Sequence, residues 1–225
     1  MIYLKRLISL MLSNKKIICP ENLLHRAKKI GPVNAVIVNA GEILPMESVH
    51  KAVQHNLIIP TFVGNENEIK KHAQKLSWNI SKFEIIDEKN ENNTASIASM
   101  LASNDKVKIV VKGHIHTDVL MKAFLKKDLK LIGKKRLSHV WHMTLSENDK
   151  PLIITDGVLN VLPKLEVKMH ILKNSINFAN QIGIVRPKVS ILSATEEVLK
   201  SVPSSIDAEI ITKKAKDEKL NADVL

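Results

Sequence analysis

A chain of 225 residues, 44% hydrophobic and 25% charged, has room for one large or two modest domains with real cores, at roughly 100–200 residues each. The single cysteine, Cys19, excludes an intrachain disulfide scaffold and suits a reducing, cytoplasmic compartment. Lys and Arg total 34 against 23 Asp and Glu, a formal net charge of +11, so an anion belongs to the chemistry of this chain.

Residues 1–19 read as an amphipathic leader. The apolar stretch from Leu7 to Leu12 is interrupted by Ser9 and stops at Asn14-Lys15-Lys16, too short for a secretory signal. After Pro20, β-type runs alternate with helical periods. Val33 to Val38 is a continuous apolar run of strand length that ends at Asn39-Ala40-Gly41. Met46, Val49 and Val53 recur at helical spacing, Ile58-Ile59-Pro60 breaks that helix, and Thr61 to Val63 makes a second strand ending at Gly64. Ile69, Ala73 and Leu76 mark the next helix, Phe83 to Ile86 a strand, Thr94 to Leu101 a helix and Val107 to Val111 a strand. This alternation predicts βαβ units and a mostly parallel sheet covered by helices.

The second half repeats the logic. Leu137 to Leu145 and Pro151 to Thr155 flank the polar turn at 146–150 and predict a hairpin. Leu165, Met169, Leu172, Ile176 and Ala179 form one apolar stripe of a long helix that stops near Gly183. Val189 to Leu192 then reads as a strand parallel to the one ending at Thr155, which would bring Thr155-Asp156 and Ser193-Ala194-Thr195 to one sheet edge.

Three classes of anionic partner compete. A nucleic-acid binder clusters basic residues among aromatics, whereas aromatics are 3% here and the lysines are scattered. A membrane-surface protein needs a sustained basic amphipathic helix or a long apolar span, and neither is present. A small phosphate-bearing ligand is the reading that survives, beside the plain one that many lysines are solvated helix faces.

Its best site is Lys112-Gly113-His114-Ile115-His116-Thr117-Asp118, between a strand and a helix. Gly113 clears space for a ligand, Thr117 or Asp118 caps the helix, and the helix N-terminus with Lys112 suits phosphate. The competing reading makes Gly113 a turn and Thr117 a cap and nothing more. His114 and His116 supply two metal ligands at most, so no metal is assigned. Arg136, in Lys134-Lys135-Arg136-Leu137-Ser138-His139, offers a planar fork for phosphate or carboxylate. Asp156, with Asn160 after it, is either catalytic or a cap.

These segments carry a family resemblance. VKGHIHTDVLMKAFL (111–125) resembles the MKGxxHTDxxxxxVL segment of phosphate acetyltransferases and phosphate butyryltransferases, and KRLSHVWHM (135–143) resembles their RRxSHVFxM. The stretch from Leu152 to Val198 is similar to their TDAAxNxxP segment and its continuation, VPSSIDAEII (202–211) to xPSTxDAAxL, and residues 52–73 to AxxxgLixPxLVGxxxxIxxxA. The resemblance implies two α/β domains with mostly parallel sheets about an interdomain cleft, of the isocitrate/isopropylmalate dehydrogenase type, divided here as 20–136 and 137–225. It implies transfer of an acetyl or butyryl group between coenzyme A and inorganic phosphate. Coenzyme A is then a substrate, no cofactor is permanently bound, and intact relatives form homo-oligomers. Lys112, Gly113, His116 and Thr117 would line the phosphate side, Arg136 and Ser138 the domain junction, and Asp156 and Asn160 the cleft edge of the second domain.

The resemblance also implies a C-terminally incomplete member. The family continues past the position of Val224 with DGPLxFDxA, a PDxxxGN segment and a closing Ser, Arg and Asp that serve as oxyanion contact, phosphate ligand and general base. None is in this sequence, so its catalytic residues are unassigned and the first domain is expected to be incomplete, with an uncovered sheet edge. Two alternatives stand beside the enzyme: a catalytically dead remnant kept as a binding module, and a basic nucleic-acid-binding protein.

Overall fold

Val33–Val38 (β1) runs through the middle of a parallel sheet and is buried over its last four residues. In the computed structural model, residues 19–133, 136–144 and 151–225 are described. The expected leader, apart from Cys19, lies outside them, as do Lys134, Lys135 and the turn at 146–150.

The first half is built from α1 (Glu21–Ile30), β1, α2 (Ile43–Gln54), β2 (Ile58–Gly64), α3 (Glu66–Lys75), β3 (Ile85–Asp87), α4 (Glu91–Ser103), β4 (Ile109–Lys112) and α5 (Thr117–Phe124). The strands lie in the order β3-β2-β1-β4, all parallel. Alternate residues of β1 serve opposite faces. Ala35 and Ile37 join Met46, Val49, Phe62 and Ile69 in one core, and Val36 and Val38 join Ala95, Ala98, Val107 and Leu120 in the other. Burial on both faces explains why β1 reads as an unbroken apolar run.

β2 begins three residues earlier than expected and runs through Pro60. The reason lies in the register. Pro60 pairs with Ala35 of β1, and β3 pairs with β2 only from Phe62 onward. The Phe62 amide donates to the Glu84 carbonyl at 2.9 Å, so the N–H that proline lacks, two residues earlier, would face the side where β3 has not begun. Proline costs that strand no ladder bond.

Two of the helix starts are set by asparagines. Asn65 caps α3 and Asn90 caps α4, each accepting from two amides of the first turn. Thr117 and Asp118 do not cap α5. The N-cap is His116, without a side-chain cap bond of its own, and Thr117 is the first helical residue.

The second half holds β5 (Trp141–Met143), β6 (Leu152–Ile154), α6 (Leu165–Gln181), β7 (Lys188–Val189), α7 (Pro203–Asp217) and β8 (Asp223–Val224). The expected hairpin is present as an antiparallel pair with His142 opposite Ile153. The apolar stripe of α6 packs on α7 through Met169, Leu172, Ile176, Ile211 and Ala215. Two ion pairs tie the same helices, Lys168 to Asp207 at 2.7 Å and Lys173 to Glu218 at 2.6 Å.

β7 corrects the sequence reading. It pairs in parallel with β8, not with the strand ending at Thr155, and β6 pairs only with β5 among the described residues. The helical crossover that makes β7 parallel to its neighbour is α7, which follows it, rather than α6, which precedes it. Thr155-Asp156 and residues 193–195 are therefore not brought to one sheet edge by strand pairing.

Phe62 is fully buried and meets Trp78 and Phe83 edge-on at 5.8 and 6.3 Å. Phe62→Ala removes the centre of this cluster and is expected to cost about 3–5 kcal/mol. Urea unfolding followed by tryptophan fluorescence should show the lowered midpoint.

Candidate functional site

The sequence-predicted residues fall into two groups at opposite ends of α5. The first lies where β1 and β4 end. Gly113 donates its amide to the Val38 carbonyl at 2.8 Å, and His114 donates to the Asn39 carbonyl at 3.1 Å. The Asn39 side-chain amide donates back to the His114 carbonyl, and Asn39 itself takes a left-handed backbone with φ 53°. A Cβ on Gly113 would lie 2.3 Å from the Asn39 carbonyl oxygen and 2.5 Å from that of Val38. Gly113 is buried against β1, where the packing of the two backbones leaves no room for a side chain. Lys112, the last residue of β4, pairs in register with Val38 and is exposed, as are His116 and Thr117.

Glu91, in the first turn of α4, reaches this loop. Its Oε1 accepts the His116 backbone amide and lies 2.8 Å from His116 Nδ1. The His116 backbone bond first, then its side-chain bond, hold the Glu91 carboxyl below the usual glutamate value. Sequence reasoning missed Glu91. Its only signal was the polar run Asn90-Glu91-Asn92-Asn93 ahead of a helix, which reads as a cap.

The second group surrounds the C-terminal end of α5. A pocket of about 810 Å³ is lined by Met121, Phe124, Leu125, Ile132, Leu137 and Leu159 on its apolar side. Its polar side has Lys126, Lys127, Lys130, Arg136 and Asn160, with no carboxylate among the described lining residues. Arg136 and Asn160 therefore share one pocket, and Lys112, Gly113, His116 and Thr117 are not among its lining residues.

The segment bearing Arg136 is held by amides from two other elements. Asn174 of α6 donates to the Arg136 carbonyl at 2.8 Å and to Ser138 Oγ at 3.0 Å, and Asn160 donates to the Leu137 carbonyl at 2.9 Å. Asn174 is a second residue the sequence left unremarked, because it sits on a helix read only for its apolar stripe. Asp156 neither caps a helix nor stands free. It accepts the amides of Val158 and Leu159 at 3.1 and 2.9 Å and the side-chain amide of Asn160. Partial burial raises its carboxyl, but the Leu159, Asn160 and Val158 bonds outweigh it and leave the group below the usual aspartate value.

Among the described residues no group of three or more His, Cys, Asp or Glu could hold a metal ion, and no helix is long and apolar enough to cross a membrane. The fold is thus a largely parallel α/β sheet with Lys112 at one strand end and, beyond α5, a cationic, part-apolar pocket. Residues 88–224, more than half of the chain, match the family described as Phosphate acetyl/butaryl transferase, and the chain belongs to it.

Relatives agree. The chain is 31% identical over 195 residues to a phosphate acetyltransferase of Rickettsia typhi, covering 86% of this chain and 56% of that protein. It is 33% identical over 168 residues to a phosphate butyryltransferase of Clostridium acetobutylicum, covering 75% and 56%. The chain thus spans little more than half the length of these curated relatives. A branched-chain phosphotransacylase from Enterococcus faecalis superposes with a TM-score of 0.69 at 25% identity, over 84% of this chain and 66% of that one.

Two outcomes test this geometry. Gly113→Ala forces a methyl group into two backbone carbonyls and should destabilise the protein by about 1–3 kcal/mol in urea unfolding. Asp156 has a depressed folded-state value, so its stabilisation is complete above its unfolded value near 3.8 and is lost as pH falls through the lower folded value. Asp156→Asn should therefore lower the melting temperature at pH 7, and its deficit relative to wild type should shrink below about pH 4.

Proposed function

We propose that this chain carries the substrate-binding side of a site that moves an acetyl or butyryl group between coenzyme A and inorganic phosphate. The observation that carries the reading is the pocket beyond the C-terminal end of α5, with four cations and no carboxylate among its described lining residues, in a chain of this family. Coenzyme A joins a highly anionic nucleotide head to a long, less polar arm. Lys126, Lys127, Lys130 and Arg136 suit the head, and Met121, Phe124 and Leu159 suit the arm.

In this reading two α/β domains, 20–136 and 137–225, flank the cleft. Arg136 grips a phosphate with its planar fork, Asn174 (in part through Ser138) and Asn160 fix the segment that presents it, and Asp156 holds Asn160 in place. Lys112, His116 and Thr117 form the phosphate side, with Gly113 fixing the loop they stand on. A phosphate oxygen attacks the thioester carbonyl, the acyl–sulfur bond breaks, and the thiolate leaves with coenzyme A. By the family resemblance, the oxyanion and the proton are handled by a Ser, an Arg and an Asp that follow the position of Val224 in relatives. Acyl-CoA and phosphate are the substrates, no cofactor is permanently bound, and the protein works in the cytoplasm, with homo-oligomers implied for its intact relatives.

Calorimetric titration with coenzyme A tests the reading without requiring turnover. Binding should weaken as salt is raised, and Arg136→Ala should weaken it about tenfold, the loss of a charge-assisted bond. A chain that ignores coenzyme A but binds DNA with a steep salt dependence overturns the proposal in favour of a nucleic-acid binder.

A further inference from the structure

Glu91 and His116 form a pair that no family motif in this sequence includes, and its geometry fixes more than a contact. The Glu91 carboxylate accepts the His116 backbone N–H, which can only donate. The same Oε1 lies 2.8 Å from Nδ1 of the imidazole. An ionised carboxylate has no proton to give, and these two bonds keep Glu91 ionised. Nδ1 must therefore be the donor. In the neutral ring that leaves Nε2 with its lone pair outward, and Nε2 has no hydrogen-bond partner among the described residues. The ring is 79% exposed, against 30% for the Glu91 side chain, so the acceptor atom faces whatever occupies the loop.

We propose that Glu91 is a positioning residue that locks His116 in the Nδ1–H tautomer, making Nε2 an acceptor that selects hydrogen phosphate over sulfate at this loop. The inference rests on the placement of inorganic phosphate beside His116 in the proposed function. Hydrogen phosphate carries an O–H that donates to Nε2. Sulfate at neutral pH has none and meets a lone pair with another lone pair. His114, two residues away, is the internal contrast. Its Nδ1 stands 3.8 Å from Glu42 Oε1, beyond hydrogen-bond reach, so no described residue fixes its tautomer.

The test is ¹⁵N-detected imidazole NMR on the full 225-residue chain, with the His116 signals assigned by their loss in His116→Gln. The ligand-free wild type should show His116 with Nδ1 protonated and Nε2 bare above the titration range, and Glu91→Ala should abolish that preference. Glu91→Gln, which keeps an amide oxygen as acceptor, should restore it. Sodium phosphate should then perturb the His116 Nε2 signal at about tenfold lower concentration than sodium sulfate in wild type and Glu91→Gln, and at nearly equal concentration in Glu91→Ala. An Nε2–H tautomer in the wild type overturns the role of Glu91, whatever the anions do. Equal response to both anions in the wild type overturns the selection while leaving phosphate binding intact. No response to either overturns the placement of phosphate at this loop, and the selection with it. Circular dichroism of each variant separates these results from misfolding.

Discussion

Between the end of β1 and the end of β4 the two backbones close to hydrogen-bonding distance, with the amides of Gly113 and His114 on the carbonyls of Val38 and Asn39. No side chain fits between them. That approach continues the β1–β4 ladder two residues past the last strand pair and turns the 113–116 loop back over Asn39. It also leads directly into α5, which begins at Thr117 four residues after Gly113. Glu91 takes the N–H of the α5 N-cap from outside the helix, so α4 and α5 are joined by a cap that neither carries within itself.

The two ends of α5 then present different electrostatics. A helix N-terminus is electropositive and suits an anion, and at α5 a carboxylate from α4 already occupies part of that position. The C-terminal end is electronegative, yet the large cationic pocket lies there. The positive potential there comes from Lys126, Lys127, Lys130 and Arg136, which oppose the helix dipole rather than add to it. Four of the chain's 34 Lys and Arg residues thus meet at one pocket, and the rest of the basic excess is spread elsewhere along the sequence.

What the sequence made legible follows from how each element is buried. β1, covered on both faces, and α6, buried along one stripe, wrote their burial into their composition and were read nearly to the residue. α1 has no fully buried residue, and its short half-buried face of Leu23, Leu24 and Ala27 went unread beside the atypical leader. Pro60 looked like an end to structure because a single sequence does not say on which side of a strand its missing N–H falls. The partner of β7 was misassigned for a related reason: right-handed crossover rules constrain the hand of a connection, not which of two neighbouring helices makes it. Glu91 and Asn174 were invisible because each acts on a residue 25 or more positions away, on His116 and on the Arg136–Ser138 segment.

The family match and the physical reading divide the chain differently, and the division is informative. The match begins at residue 88, after β1, β2 and β3 have been laid down, yet β1 and β2 hold many of the most completely buried residues among those described. The 111–125 segment, the clearest resemblance, stands on that core through β4. Within it Gly113 answers to the backbone of β1, outside the matched span, whereas His116 answers to Glu91, just inside it. One motif therefore holds residues under two kinds of constraint. A substitution at Gly113 tests the packing of the sheet, whereas one at His116 or Glu91 tests the hydrogen bonds that hold the loop to α4.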